Sequence, residues 1–207
     1  MSLLKPMRFF LSDGLIPSLE LEGVTQIVSS KGTLDACNRL LRHLSELNPE
    51  VTPVVLIAVG SLELSLDLIG GKIPISHIKN NEDKYVKKIV DKIINPIRIL
   101  STYLRKYRGK LMIASLIPLP RNVKIPTLEY KSVLRRAYNA INSDIHDLNQ
   151  EANARSFHLG VKFEKRNHRM SSADAACKDT LFSDDDKLSD KGMIEAKLAC
   201  EKMLNSL

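Results

Sequence analysis

Val54-Val55-Leu56-Ile57-Ala58-Val59, followed by Gly60-Ser61, is the stretch on which the reading of this chain turns. Six consecutive apolar residues, four of them β-branched, suit a strand buried on both faces, as in the middle of a parallel sheet. Gly60-Ser61 ends it. Upstream, Met7–Leu11 (MRFFL) reads as a second buried strand that stops at Ser12-Asp13-Gly14, and Val24–Val28 (VTQIV) as a weaker third. Thr33–Leu47 carries leucines at 34, 40, 41, 44 and 47, a helical spacing, with Thr33 expected as the N-cap because its hydroxyl can accept a free first-turn N–H.

Downstream, apolar residues at 86, 89, 90, 93, 94, 97, 100, 104 and 107 predict a long helix from about Glu82 to Tyr107. Pro96 inside it predicts a kink or two abutting helices. Leu111–Ser115 is the next strand, with the proline-rich exit IPLPRNVKIP (117–126) behind it. Leu128–Ala154 reads as a helix, Phe157–Phe163 as a strand, residues 164–181 as a polar loop and Leu188–Leu204 as a closing helix. This alternation predicts an α/β fold, a three-layer α/β/α sandwich around a central parallel sheet, forming a single domain over residues 1–207. In such sheets the functional crevice lies outside the carboxyl ends of the strands. Ser12–Leu15, Gly60–Leu64 and the loop before the last helix are therefore the segments that matter.

Composition sets the outer limits. The 207 residues are 43% apolar and 27% charged, enough for a core without disorder or a metal-dependent mini-fold. No apolar run approaches the roughly 18 residues of a membrane span, and MSLLKPMRFFLSDG is too short and interrupted in its apolar part for a signal peptide. Cys37, Cys177 and Cys200 include no C-x-x-C pair, so neither a disulfide framework nor a zinc knuckle is expected, and a reducing cytoplasmic compartment fits.

The net charge of +7 is unevenly spread: residues 79–143 hold 15 Lys/Arg against 4 Asp/Glu, net +11, whereas each flank is net −2. One reading is a long amphipathic helix with a lysine-rich solvent face. The other is an electrostatic footprint for a polyanion. Aromatic residues make up only 5% and tryptophan is absent, which argues against a base-stacking platform.

Several short motifs bear on chemistry. Asp184-Asp185-Asp186 reads either as a divalent-cation site or, with better support, as a solvated turn that complements the next helix. Gly70-Gly71-Lys72 lacks P-loop spacing, since Ile73 follows the lysine. The five histidines form no metal-binding pattern, and no cofactor is expected.

Leu11-Ser12-Asp13-Gly14, Lys31-Gly32-Thr33-Leu34, Val59-Gly60-Ser61-Leu62-Glu63-Leu64, the strand KLMIASLIPLP (110–120) and Asp184–Gly192 occur in the order of the blocks of the SGNH (GDSL-type) hydrolases, and nearly the whole chain resembles that superfamily. The resemblance implies a serine nucleophile after the first strand, a Gly and an Asn as oxyanion donors, and an Asp-x-x-His before the last helix. Here the nucleophile position reads Gly14, the Asn position Leu62 and the His position Lys187; Gly32, Gly60 and Asp184 remain. Acyl transfer is left without nucleophile, base and one donor, so no enzyme activity is expected unless Ser12 or Lys187 is recruited.

The third block and Cys37-Asn38-Arg39-Leu40 are also similar to the hydrolase-like domain of the Oskar family of insect germ-plasm organisers. That resemblance implies a pseudoenzyme that binds messenger RNA in ribonucleoprotein assembly. The RNA contacts expected on charge are Arg39 and Arg42 on one helix face, Arg105, Lys106, Arg108 and Lys110 where a helix meets a strand, and Lys165, Arg166 and Arg169, with His168, in the polar loop. Taken singly, each reads more readily as a surface cation covering apolar neighbours. Neither membrane binding nor DNA specificity is expected, and a protein–protein scaffold of the same fold is the competing reading.

Overall fold

The computed structural model describes residues 6–16, 18–61, 63–64, 75–118, 128–165, 176–177, 181–182 and 188–206. Four parallel strands, β1 (Met7–Asp13), β2 (Val24–Ser29), β3 (Pro53–Ala58) and β4 (Lys110–Ile113), form a sheet in the order β2-β1-β3-β4. Their register sets Phe10 beside Gln26 and Leu56, and Leu56 beside Met112. Both faces of the central strands are apolar, as VVLIAV requires, and alternate residues feed two cores.

Phe9, Leu11, Val55, Ile57, Leu111 and Ile113 pack under three helices: α1 (Thr33–Ser45), α2 (Ile75–Lys106) and α3 (Leu128–Glu151). Phe10, Leu56, Ala58, Met112 and Ala114 pack on the other face against Leu15, Ile16, Leu19 and Leu21, the short α4 (Leu159–Phe163) and α5 (Asp190–Leu204). The result is the expected pair of helical layers around a parallel sheet.

The departures from expectation have local causes. The break in α2 falls at Asn81 (φ −145°, ψ 32°) and not at Pro96, so helix begins at Ile75, upstream of the expected Glu82. Phe157–Phe163 is not a strand. Only Phe157 bridges to Ala114, because α3 already covers the β4 edge. The Asn149 amide accepts from Ile113 N–H and donates to Ile113 O, both at 2.8 Å, as a neighbouring strand would. Asn142 accepts from Leu116 N–H at 2.9 Å. The chain then turns into α4 at Gly160, where a Cβ would lie 2.0 Å from Leu116 O. An edge satisfied by side chains is closed to further pairing. Residues 164–181 are not all loop: β5 (Glu164–Lys165) and β6 (Ala176–Cys177) pair antiparallel. No described helix is long and apolar enough to cross a membrane.

Candidate functional site

The crevice at the carboxyl ends of β1, β2 and β3 is held together by the protein's own carboxylates. Asp13 ends β1 and is 2% exposed. Its Oδ2 accepts from Gly60 N–H and its Oδ1 from Leu15 N–H, each at 3.0 Å. The first of these bonds ties the end of β1 to the turn after β3. Gly60 has φ 105°, and a Cβ there would stand 3.0 Å from Ile93, so a side chain is excluded by both conformation and space. A helical turn follows, with Leu64 N–H donating to Gly60 O at 2.9 Å, and Ser61 Oγ accepting from Ile117 N–H at 2.9 Å.

Glu63, 6% exposed, reaches from this turn to the start of α1. Its Oε2 accepts from Thr33 N–H at 2.8 Å, and Lys92 Nζ lies 3.4 Å from its Oε1. Gly32 (φ 101°) leaves room for it, since a Cβ there would sit 2.9 Å from Oε1. This corrects the expected cap. Gly32, not Thr33, occupies the N-cap position, no side chain of the helix caps it, and Thr33 Oγ1 is buried without a hydrogen-bond partner among the described residues. The anion that a helix N-terminus attracts is supplied by a residue thirty positions away. Sequence proximity could not reveal it; the one signal was an acidic residue next to an apolar strand end.

Gly14, the residue that the resemblance sets at the nucleophile position, carries no side chain. Ser12 offers no substitute there: it lies within β1, fully buried, and its Oγ has no partner among the described residues. The cavity lined by Asp13, Leu15, Ser61, Ser115, Leu116 and Leu159 measures about 10 Å³, the space of one water. Small-molecule sites are typically about 300–1,000 Å³. Acyl transfer builds negative charge on the substrate oxygen. A further anion about 4 Å from either carboxylate is disfavoured by ~4 kcal/mol at an effective dielectric of 20. Leu62, Asp184 and Lys187 lie outside the described residues, as do Gly70-Gly71-Lys72 and the rest of the Asp184–Asp186 run. Among the described residues no group of three or more His, Cys, Asp or Glu could hold a metal.

The basic residues fall into separate places. Arg39 pairs with Asp35 at 2.7 Å and, with Arg42, Lys31 and His43, lines a groove of about 870 Å³ against the outer edge of β2. The hydrogen bond from Ser29, ahead of the nearby Arg39, holds the Asp35 carboxyl below its usual range. At the β4 edge, Arg105 pairs with Glu151 at 2.8 Å. Lys106 and Arg108 form no ion pair among the described residues, and Lys110 opens β4. Arg108 has φ 53°, ending α2 in a left-handed residue while Gly109 N–H donates back to Leu104 O at 2.9 Å. That position is usually glycine. The two groups sit by opposite edge strands of the sheet, β2 and β4, which are three strand spacings or about 14 Å apart. Lys165 is in β5, and Arg166, His168 and Arg169 lie outside the described residues.

No protein-family model matches the chain, and no curated protein matches it in sequence. Solved structures do match in fold. A candidate acylhydrolase from Bacteroides fragilis superposes with a TM-score of 0.66 at 11% identity, covering 99% of this chain and 91% of that one. An acetyl xylan esterase gives 0.61 at 12%, covering 97% and 99%. A GDSL-like lipase from Bacteroides thetaiotaomicron gives 0.59 at 12%, covering 96% and 85%. The fold is that of the SGNH hydrolases.

Proposed function

We propose that this chain is a non-catalytic SGNH-like module that binds RNA through its phosphates, with messenger RNA in cytoplasmic ribonucleoprotein assembly as the setting. The observation that carries the reading is Arg108. It keeps a cation with no ion-pair partner among the described residues, in a backbone conformation that glycine would adopt at lower cost. It does so within the segment of net charge +11. Lys106 beside it, Lys110 two residues on, and the Arg39–Arg42 groove extend the basic surface. Phosphate contacts position a nucleic acid without reading its sequence, so shape and single-stranded segments set any preference. The similarity of Gly60-Ser61-Leu62-Glu63 to the Oskar family's third block supports the same reading, and the absence of hydrolysis is supported by the crevice serines Ser61 and Ser115, whose hydroxyls are engaged by the Ile117 and Gly160 N–H groups.

Equilibrium binding of a single-stranded oligoribonucleotide across a salt series tests it. Neutralising four phosphates gives a log–log slope of about −3. Affinity that is absent, or flat between 50 and 200 mM salt (on the order of physiological strength), overturns it. The β2 edge, unpaired among the described residues and with acidic Asp35 and Glu46 among the groove's cations, favours the second reading, a protein scaffold. A pull-down that survives nuclease while RNA crosslinks are absent would support that one.

A further inference from the structure

Among the five tyrosines of a tryptophan-free chain, two pair near the C-terminal end of α2. The rings of Tyr103 and Tyr107 lie one helical turn apart with centroids 4.8 Å apart and planes inclined by 31°. Tyr107 is 46% exposed, Tyr103 one turn before it is half-buried against the core, and Ile99, two turns before Tyr107, is 61% exposed. Lys106 lies between Tyr103 and Tyr107 in sequence, and Arg108 follows directly. An exposed run of aromatic and apolar surface costs solubility unless something covers it. Water satisfies a lysine face but has no use for a ring stack. The cations beside the stack select a partner that is both anionic and flat-faced. Single-stranded nucleic acid has that chemistry, since each phosphate is joined to a base with a π-face.

We propose that Tyr103 and Tyr107, extended by Ile99, form a base-stacking subsite, with Lys106 and Arg108 holding the adjoining phosphates of single-stranded RNA. The inference rests on the RNA-binding reading and deepens it. It revises the expectation that so few aromatics argue against a stacking platform: the number is small, but two of the rings are adjacent. It also separates the roles of neighbouring residues. The rings contribute affinity that depends on bases, and the cations contribute affinity that depends on charge.

The test compares an oligouridylate with inorganic polyphosphate of matched charge, binding each to the wild-type chain and to Tyr107→Ala, Tyr107→Phe and a Lys106→Ala/Arg108→Ala double variant. Loss of one stacked base weakens binding about 10-fold. Tyr107→Ala is expected to lose that factor for oligouridylate only, with an unchanged salt slope, while Tyr107→Phe keeps wild-type affinity. The double variant is expected to lose affinity for both ligands. If Tyr107→Ala binds RNA like wild type, or weakens polyphosphate equally, the stacking subsite is wrong and the RNA reading stands. A wild-type chain that binds neither ligand overturns both.

Discussion

Replacing Glu63 with alanine removes the acceptor for Thr33 N–H and the negative charge at the α1 N-terminus. A hydrogen bond to a charged group contributes about 1.5–3 kcal/mol, and an anion at a partly buried helix N-terminus up to about 2 kcal/mol. These overlap, because the same bond carries both. The Lys92 contact at 3.4 Å adds little, since the lysine is half exposed. Removing the buried carboxylate also relieves its desolvation cost. The net expected loss is about 2–3 kcal/mol. For a chain of this size that lowers the melting temperature by ~5–10 °C. Glu63→Gln, which keeps an oxygen at the same place, should lose about 1 kcal/mol. Guanidinium unfolding followed by circular dichroism measures both. Sulfate should recover stability in Glu63→Ala beyond its general salting effect on wild type, because the vacated helix end is an anion site. Equal stability of wild type and Glu63→Ala, or equal response to sulfate, would refute the assignment of the crevice donors to internal carboxylates.

Other consequences can be checked with the same material. Arg108→Gly should stabilise the fold by about 0.5–1 kcal/mol, by relieving φ 53°, while weakening RNA binding. A gain in stability without loss of affinity would remove Arg108 from the interface. Gly14→Ser is expected to fold and, on the non-catalytic reading, to show no turnover of p-nitrophenyl acetate above the parent chain, because acyl transfer needs a base and free oxyanion donors as well as a hydroxyl, and the Gly60 and Thr33 N–H groups already donate to Asp13 and Glu63. Burial pushes the Cys37 and Cys200 thiols up to about 12. Their folded values exceed the unfolded 9.0, so their effect on stability is constant below pH 9 and becomes unfavourable as pH rises from 9 toward 12. Both should resist disulfide reagents at pH 8 in the native state and react on unfolding, read by peptide mass.

The layers were legible in the sequence because burial on two faces leaves a continuous apolar run. VVLIAV could be read as a central strand without knowing its neighbours, and LMIAS as a strand, which proves to be the edge strand β4. Phe157–Phe163 misled for the opposite reason. Its apolar residues feed a core, but whether they pair as a strand depended on Asn149 and Asn142, which occupy the β4 edge from a helix. Thr33 misled because capping was judged from the nearest hydroxyl, whereas the acceptor came from Glu63 across the fold. The same limit applied to the site. Gly14 and the block order are local and visible, but the carboxylate bonds of Asp13 and Glu63 join segments thirty to forty-seven residues apart. The basic groups were visible as charge, while their division between two edges of the sheet follows only from strand order.

The most direct measurement is a map of photo-crosslinks between the intact chain and a single-stranded RNA, read by peptide mass. Adducts should concentrate in the α2–β4 junction, from Ile99 to Lys110, with a second set near Arg39 and Arg42. Adducts gathered at Asp13–Ile16 and Gly60–Leu64 would instead place the ligand in the crevice and contradict the account.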